Sequence, residues 1–545
     1  MPTLTRLTDS ARGAVALART GVLRPERPDR LWDMARSVRH WGVTLAAAYS
    51  LAGARYGDRI AIADERGSES FAELDHRTEA IARGLIETGV HADDTVAVLC
   101  RNHRYILETA GALAKLGAHA VYLNTGFSGP QLRAVMHKER AILLVHDEEF
   151  VDVAHDAGVE PRVLAWTDDD GDRPRPDGTR SLNELAARHA VGPAPTRPVH
   201  EGRTVILTSG TTGAPKGAIP ARAVDPRAGV ALLERIPYRA RETMVIAAPC
   251  FHSWGMTNAM LGLLFGNTMV LERHFDAERT LAAIASSHAQ VLTAVPVMAR
   301  RIVDLPAEVR TQYDTSSLRV VALSGSALDG DLAPRFMDAF GDLLYNLYGS
   351  TEVGAVAVAT PADLRVAPAT AGYPPRGTEI RLLDADDHVV APGEIGRIFV
   401  RGPLLFKGYT DGNVKIIVDG FMHTGDTGHI DAAGRLFVDG RDDDMIVSGG
   451  ENVFPREVED VISAHPAVVE AAVVGVSDPE FGQRLKAFVV VSPGTAIDAD
   501  AVRDHVRDNL ARFKVPRDVE FVDALPRNAT GKVVRRALGN EAAEA

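Results

Sequence analysis

The stretch that says most about this chain is Thr208–Gly217, TSGTTGAPKG, which directly follows an apolar run, Thr204–Leu207, that predicts a strand. Its glycines relax the backbone, so that successive N–H groups can point at one anion. The hydroxyl groups add further donors, and the lysine adds a cation on a flexible stem. The segment therefore predicts a phosphate-binding loop, whose contributing residues are Thr208, Ser209, Gly210, Thr211, Thr212, Gly213 and Lys216.

The spacing within this loop differs from the Walker A motif. That motif requires GxxxxGK[ST], whereas here Pro215 precedes Lys216 and Gly217 follows it. A kinase or an ATPase of the P-loop type is therefore not supported. A dinucleotide-dependent oxidoreductase is not supported either, because GxGxxG is absent from the early strand–helix turns.

Strands and helices alternate on both sides of the loop. The run TVAVLC at Thr95–Cys100 predicts a buried strand between helices at Phe71–Thr88 and His103–Leu116. Strands separated by helices of this length indicate parallel βαβ units. Further core strands are predicted at Ala120–Leu123, Ile142–His146, Met244–Ala248, Val291–Val295 and Val320–Leu323.

The pattern changes from about Ile380 onward. The runs IRLLD, GRIFV and RLFVD predict short strands between glycine and aspartate turns, which indicates a small antiparallel sheet or barrel beginning at about residue 371. After Arg441 a compact α+β pattern follows. Its predicted elements are the helix Pro455–Ala464, the strands Val468–Val476 and Lys486–Val491, and the helix Asp498–Leu510.

Together these patterns predict an α/β protein of two domains. Residues 1–440 form a large N-terminal domain of parallel α/β subdomains plus a small β-barrel. Residues 441–545 form a small α+β C-terminal domain, with the boundary near residues 440–443. The length of 545 residues agrees with at least two domains.

Two further motifs carry side chains suited to a nucleotide. In YGSTE, at Tyr348–Glu352, the tyrosine offers a flat face to adenine, Thr351 a hydroxyl to phosphate, and Glu352 a hard oxygen ligand to Mg²⁺. In FMHTGD the carboxylate of Asp426 can accept hydrogen bonds from both ribose hydroxyls. The alternatives are an ordinary turn at the end of a strand for the first motif and an Asx turn for Asp426.

These motifs, in this order, resemble those of the adenylate-forming superfamily, which includes acyl-CoA synthetases, adenylation domains of peptide synthetases and firefly luciferase. The resemblance spans roughly residues 45 to 540. It rests on TSGTTGAPKG, YGSTE, FMHTGD, RDDDMIVSGGE at Arg441–Glu451 and NATGK at Asn528–Lys532.

The resemblance implies roles for further residues. Lys532 would bridge the substrate carboxylate and the α-phosphate, and the C-terminal domain would be mobile about a hinge at Asp443. Gly325, Ser326 and Ala327 would form a wall against adenine and substrate. Gly349 and Ser350 of YGSTE would also bind the nucleotide, and Arg441 would lie near the ribose. Gly449 and Gly450 would let a thiol arm pass. The metal would be held by Glu352 and Thr208.

The motif PCFHSWGM at Pro249–Met256 is predicted to line the acyl pocket. His252 and Trp254 resemble pocket-gating residues of the superfamily, although His252 is equally compatible with a core histidine. Cys250 beside them invites a nucleophile interpretation, which lacks an oxyanion motif or a third residue. The small residues Ala259, Gly262 and Gly266 suggest room for an aliphatic chain.

The implied activity is that of an ATP-dependent acyl-CoA ligase for a carboxylic acid, which we expect to be a medium- or long-chain fatty acid. ATP, Mg²⁺ and coenzyme A are the implied cofactors. Loading of a carrier-protein thiol is the alternative, and a non-catalytic nucleotide-binding protein is a third hypothesis. The intact residues Lys216, Glu352, Asp426, Arg441 and Lys532 argue against the third.

Composition limits the partners and the location. A net charge of −13 argues against nucleic-acid binding, and two cysteines are compatible with a reducing cytoplasm. No segment is apolar enough to span a membrane. The arginine-rich N-terminus favours an amphipathic helix packed on the domain, while a peripheral membrane contact and a homodimer stay open.

Overall fold

The structure, a computed structural model, describes residues 13–168, 178–209, 215–219, 226–326, 328, 330, 332–384, 386–441, 446–453, 455–492, 494–526 and 538. Among these residues there is no helix with the length and apolarity that a membrane crossing requires.

The N-terminal part contains two eight-stranded sheets, each parallel except at its edges. Sheet one is covered by helices, and the four residues of its central strand Val320–Leu323 are all buried, which explains their uninterrupted apolar sequence. In spatial order its strands are Gly354–Ala359, Leu344–Ser350, Val320–Leu323, Val291–Ala294, Thr243–Ile246, Thr268–Leu271, Ile60–Asp64 and Gly67–Ser70.

Sheet two contains the strand that precedes the predicted phosphate loop. That strand, Thr204–Ser209, pairs in parallel with His119–Tyr122 on one side and antiparallel with Pro215–Ile219 on the other. In spatial order the strands are Gly408–Tyr409, Pro215–Ile219, Thr204–Ser209, His119–Tyr122, Thr95–Leu99, Ala141–His146, Arg162–Leu164 and Arg180–Ser181. The predicted parallel α/β architecture is confirmed.

Helices connect the strands, and several begin at the residue that their sequence predicts. The helix Phe71–Glu87 starts after a capping box in which Ser70 and Glu73 bond each other's backbone N–H groups. The helices are Pro28–Trp41, Leu45–Tyr56, Phe71–Glu87, Arg104–Leu116, Gly129–Lys138, Val151–Asp156, Leu182–Arg188, Pro226–Arg235, Ser253–Phe265, Ala277–Ser287, Pro296–Val303, Ala307–Arg310, Leu332–Phe340, Pro361–Val366, Pro455–Ser463 and Ala499–Asn509, with a further one over residues 13–20.

The third sheet is the predicted small antiparallel unit. Its strands follow the order Glu379–Leu383, Gly396–Arg401, Phe421–Ile430 and Ile417–Val418, with Leu436–Arg441 also paired to Phe421–Ile430. No pairing among the described residues closes it into a barrel. The outer strand Ile417–Val418 has only two residues, too few to extend the ladder further.

The C-terminal domain has its own sheet and core. The sheet order is Glu451–Val453, Ile446–Ser448, Gly482–Val491 and Val468–Asp478, and Asp518–Phe521 pairs in parallel with Gly482–Val491. Sheet membership therefore changes between Arg441 and Ile446. The placement of the hinge at Asp443 stays a prediction, because that residue lies outside the described ones.

A carboxyl group is buried at the edge of sheet one. Glu69 lies 3.7 Å from Nε of Arg77, whose guanidinium holds the fully buried Glu108 at 2.8 and 2.9 Å. Burial, together with the carboxylate of Glu108, raises the pKa of Glu69 to about 9. Glu69 is therefore protonated in the folded protein at neutral pH and ionised in the unfolded chain.

We expect Glu69→Gln to stabilise the protein increasingly as the pH rises. Because the folded pKa is raised, the stability linked to Glu69 is complete below its ordinary value of 4.5 and is lost as the pH approaches about 9. The wild-type protein loses at most about 1.4 kcal/mol of its free energy of unfolding per pH unit in this range. The amide of the variant does not ionise, so the variant does not lose this stability. Thermal unfolding across this pH range should show a growing difference in melting temperature. The exposed Glu308→Gln is the control, and a difference independent of pH would contradict the prediction.

Candidate active site

The carboxyl ends of the two sheets meet at a buried asparagine. Asn102, which follows the strand Thr95–Leu99 of sheet two, donates to the carbonyls of Ile246 (3.1 Å) and Ala248 (2.9 Å) after a strand of sheet one. Its Oδ1 accepts from N of Cys250 at 2.7 Å. The loops at these ends therefore share one crevice, where open α/β sheets bind ligands.

The predicted phosphate loop begins at this edge. Thr208 and Lys216 lie opposite each other on neighbouring antiparallel strands, and Oγ1 of Thr208 donates to the carbonyl of Lys216 at 3.4 Å. The ammonium of Lys216 lies 5.4 Å from the centre of the Tyr409 ring. The backbone of Ser209 ends the strand, whereas Gly210, Thr211, Thr212 and Gly213 lie outside the described residues.

Glu352 is a buried carboxylate close to the phosphate loop. Its side chain is 7% exposed, and Oε1 accepts from the hydroxyl of Tyr409 at 3.0 Å. Tyr409 thus connects Glu352 with Lys216, which places an anionic oxygen ligand beside a cation. This arrangement suits a divalent metal bound to phosphate oxygens.

Tyr348 and Asp426 form the second predicted nucleotide-binding pair. The hydroxyl of Tyr348 donates to Oδ2 of Asp426 at 2.5 Å, although the two residues are 78 positions apart. Backbone pairing places Arg441 opposite Asp426 in the third sheet. The Asx turn before the hairpin is at Asp431 and not at Asp426, since Oδ1 of Asp431 accepts from N of Ala433 and Arg435.

The predicted wall follows a central strand of sheet one. Gly325 adopts φ of +102°, and Ser326 follows it, while Ala327 lies outside the described residues. Gly349 lies on the neighbouring strand, where a Cβ would approach the carbonyl oxygen of Gly354 to 2.0 Å. Only glycine permits this close approach of the two strands.

The residues between Gly349 and Glu352 fix the turn of YGSTE. Oγ of Ser350 accepts from N of Glu352 at 3.3 Å. Oγ1 of Thr351 donates to Oγ of Ser253 at 3.3 Å, which links this turn to the helix that follows PCFH. The phosphate-side and acyl-side motifs are thereby brought together.

The glycine pair forms a tight turn in the C-terminal domain. Gly449 and Gly450 have φ of +61° and +88° and connect two short antiparallel strands. A Cβ at Gly449 would lie 2.7 Å from Cδ1 of Phe481, whereas nothing lies within 4 Å of one at Gly450. The turn is therefore packed on one side and open on the other.

Glu451, directly after this turn, contacts the N-terminal domain. Its Oε1 lies 3.1 Å from Nε2 of His252, and its Oε2 accepts from Nδ2 of Asn124 at 2.9 Å. Asn124 stands beyond the strand His119–Tyr122, at the carboxyl edge of sheet two. His252 is therefore a contact between domains and not a plain core histidine, and its role as a pocket-gating residue stays a prediction.

The charges of this pair support each other. Burial alone would lower the pKa of His252, but the carboxylate of Glu451 raises it above its usual range. Burial alone would raise the pKa of Glu451, yet His252 and the hydrogen bond from Asn124 hold it below its usual range. The charged forms of both residues are favoured while the domains are docked.

Trp254 and Cys250 of PCFHSWGM are buried. Nε1 of Trp254 donates to the carbonyl of Ala294 at 3.2 Å, and its ring is buried. Burial raises the pKa of the Cys250 thiol to about 12, so that it is not a nucleophile at neutral pH.

The expectation that small residues leave room for an aliphatic chain is wrong at these positions. A Cβ at Gly262 would lie 2.9 Å from Cγ of Met269, and one at Gly266 would lie 2.5 Å from the ring of Tyr56. Ala259 is completely buried. Neighbouring side chains occupy the space that these small residues leave.

Three residues of the site were missed from the sequence: Tyr409, Asn124 and Glu451. Nothing local relates Tyr409 to Glu352, 57 residues away. For Asn124 a signal existed, since a polar side chain directly beyond a parallel strand lies at the edge that binds ligands. Lys532 and Asp443 lie outside the described residues, so that their roles stay predictions.

The family model described as AMP-binding enzyme matches residues 50–410, and the AMP-binding enzyme C-terminal domain matches residues 457–532. The chain belongs to the AMP-binding enzyme family. It is 34% identical over 481 residues to the feruloyl-CoA synthase of Amycolatopsis sp., covering 86% of this chain and 94% of that enzyme. It is 34% identical over 476 residues to the indoleacetate–CoA ligase of Aromatoleum aromaticum, covering 85% and 91%.

Two solved structures of the o-succinylbenzoate CoA synthetase of Bacillus subtilis are similar to this chain. A double mutant bound with its product analogue OSB-NCoA matches with a TM-score of 0.78 at 27% identity, covering 90% of this chain and 98% of that one. The complex with the acyl-adenylate intermediate matches with a TM-score of 0.63 at 26% identity, covering 94% and 98%.

This AMP-binding enzyme is an acid–thiol ligase that uses ATP, Mg²⁺ and coenzyme A and forms an acyl-adenylate. The described residues fit these groups: a buried carboxylate beside a lysine, a tyrosine–aspartate pair, and a glycine turn with one open side. Mg²⁺, when bound, offsets the negative charge of the phosphate oxygens.

We expect Glu352→Gln to weaken the apparent affinity for Mg²⁺ about tenfold, because a neutral amide oxygen is a poorer ligand for a hard cation than a carboxylate. The amide can still accept from Tyr409, so that the fold should persist. Pyrophosphate release measured against Mg²⁺ concentration tests this, with Tyr409→Phe as the variant that removes only the hydrogen bond. Unchanged Mg²⁺ dependence in Glu352→Gln would contradict the assignment.

Proposed function

We propose that this enzyme activates an aromatic or arylalkanoic carboxylic acid and transfers it to coenzyme A. In the first step a carboxylate oxygen attacks the α-phosphorus of ATP and pyrophosphate leaves. In the second the thiolate sulfur of coenzyme A attacks the acyl carbonyl carbon and AMP leaves. Glu352 and Lys216 serve the phosphate end of the site, and Asp426 with Tyr348 serves the nucleoside end.

The position of the C-terminal domain corresponds, in this proposal, to the second step. The TM-score with the Bacillus subtilis enzyme is higher for the complex with the coenzyme A product analogue than for the acyl-adenylate complex, 0.78 against 0.63. The contact of Glu451 with His252 and Asn124 places the glycine turn against the crevice. This contact is the observation that supports coenzyme A as the acceptor.

Two observations support an aromatic acid over the fatty acid expected from the sequence. The similar enzymes are named for ferulate, indoleacetate and o-succinylbenzoate, all of them aromatic carboxylic acids. In addition, Met269 and Tyr56 fill the space beside Gly262 and Gly266, where the aliphatic chain was expected.

A product assay by mass spectrometry tests the proposal. The protein receives MgATP, coenzyme A and one acid at a time, drawn from ferulate, indoleacetate, 2-succinylbenzoate, octanoate and palmitate. We expect acyl-CoA with equimolar AMP, and kcat/KM for at least one aromatic acid about tenfold or more above either fatty acid. The control is Lys532→Ala, in which adenylate should form about a thousandfold more slowly.

The other outcomes separate the alternatives. Preference for palmitate or octanoate would overturn the aromatic assignment and restore a fatty acid as substrate. If acyl-adenylate accumulated and did not react with coenzyme A, loading of a carrier protein would be the better assignment.

A further inference from the structure

The helix Pro28–Trp41 has two different faces. One face packs on the domain: Trp41 is buried, and Nη1 of Arg30 donates to the carbonyl of Arg55 at 3.1 Å. Trp32, nine residues before Trp41 and therefore on the opposite side of the helix, is 72% exposed, and Leu31 and Val38, on the flank between these two sides, are 51% and 41% exposed. A helix that serves only as packing would present polar residues there.

Cationic side chains lie along the same outer face. Arg36 and Arg39 follow Trp32 at intervals of four and seven residues, which places all three on one side of the helix. Arg36 pairs with Asp33 at 3.4 Å, where both side chains are largely exposed, so that this pair contributes little and is easily replaced. Among the described residues Arg39 forms no ion pair.

Exposed apolar residues also flank the helix. Leu23, which precedes it, and Val43, which follows it, are also exposed. At the C-terminal end of the helix, Nε2 of His40 lies 3.1 Å from the carbonyl of Pro195, whose loop carries the exposed Val199. An apolar surface of this kind is unusual on a monomeric protein unless it binds something.

This segment lies outside the part of the chain that ligase chemistry explains. The AMP-binding enzyme match begins at residue 50. The first 49 residues contain eight arginines and four acidic residues, whereas the chain as a whole carries a net charge of −13. The surplus of positive charge is therefore local to the segment that exposes the tryptophan.

We propose that the outer face of the helix Pro28–Trp41 binds the surface of an anionic lipid membrane. Trp32 inserts at the level of the headgroups, Leu31 and Val38 on the flank of the helix add apolar contact, and Arg36 and Arg39 contact lipid phosphates. A second copy of the chain is a poorer partner. In an isologous contact the same face would meet itself and bring the arginines of both copies together.

Vesicle flotation with the full-length protein tests the proposal. One set of vesicles contains phosphatidylcholine alone, and in the other about a third of the lipid is phosphatidylglycerol. We expect binding to the anionic vesicles and a shift of tryptophan emission to shorter wavelength. Trp41, Trp166 and Trp254 are buried, so that Trp32 dominates this change.

Two variants separate the contributions of apolar and charged groups. Trp32→Ser and the double change Arg36→Glu with Arg39→Glu should each lower the partition coefficient about tenfold or more. The matched controls are Val366→Ser, equally exposed at 72% on another helix, and Arg279→Glu, also exposed. Ligase activity in solution should be unchanged in all four.

Other results would overturn the proposal. If the protein did not bind vesicles, or if the control variants lowered the partition coefficient as much as the test variants, the membrane proposal would be wrong. A dimer in sedimentation that Trp32→Ser dissociates would assign the face to a second copy. If the protein bound vesicles only after residues 1–12 were deleted, the outer face of the helix would be assigned to binding the chain's own N-terminus.

Discussion

Lys532→Ala should slow formation of the acyl-adenylate from acid and MgATP about a thousandfold, because a positioned cation stabilises charge that develops in the transition state. The carboxylate and the α-phosphate repel each other as they meet, and the NATGK motif implies that this lysine offsets the repulsion. Thioester formation from supplied acyl-adenylate and coenzyme A should persist. Lys532 would then serve only one of the two steps.

Pyrophosphate release measures the first step, and acyl-CoA appearing from synthetic acyl-adenylate measures the second. Lys407→Ala is the control, since Lys407 is an exposed lysine on the N-terminal domain. Equal losses in both steps of Lys532→Ala would contradict a role confined to adenylation. If Lys532→Ala left the rate of adenylation unchanged, Lys532 would have no role in the site.

Glu451→Ala should show the reverse behaviour. It removes the contacts with His252 and Asn124 that hold the glycine turn against the N-terminal domain. The imidazole of His252 then loses its partner and the amide of Asn124 loses its acceptor, and a donor left unsatisfied at a partly buried interface costs about 1–3 kcal/mol. We therefore expect the thioester step to fall about 10²-fold, while adenylation is retained and acyl-adenylate accumulates.

Glu480 provides a matched control for this variant. It is also a carboxylate of the C-terminal domain that pairs with the N-terminal domain, at 2.7 Å from Arg301. Both side chains of that pair are about half exposed, so that Glu480→Ala should change the thioester step little. If Glu451→Ala and Glu480→Ala slowed the thioester step equally, the contact of Glu451 would have no special role in that step.

The same pair predicts a pH dependence of the thioester step. The pKa of His252 is raised in the docked state, so that its contribution to docking is present at lower pH and is lost as the pH rises through that pKa. The pKa of Glu451 is lowered, so that its contribution is lost as the pH falls through that pKa. In Glu451→Gln burial alone acts on His252 and lowers its pKa, so the alkaline limb should disappear, which a pH profile of thioester formation from acyl-adenylate would show. An alkaline limb that persists in Glu451→Gln would assign that limb to another group.

Secondary structure was predictable wherever one local property decided it. The strand Val320–Leu323 has the bounds that its apolar run predicts, because both faces of a central parallel strand are buried. The helix predicted at Phe71–Thr88 is observed at Phe71–Glu87. Its position was predictable because a capping box marks its start and its apolar periodicity agrees with a helix. The open form of the third sheet was not predictable in the same way, because closure into a barrel depends on pairing between outer strands, one of which has only two residues.

The sequence by itself determined the family and the chemistry and predicted the nucleotide-binding side chains, because motifs such as TSGTTGAPKG and YGSTE place donors and ligands close together along the chain. Only the tertiary structure decided which distant groups meet. Glu451 reaches His252 across 199 residues because two domains dock, and Tyr56 fills the space beside Gly266 because two helices pack. Such contacts depend on sheet order and domain position, and no local pattern of residue types encodes either.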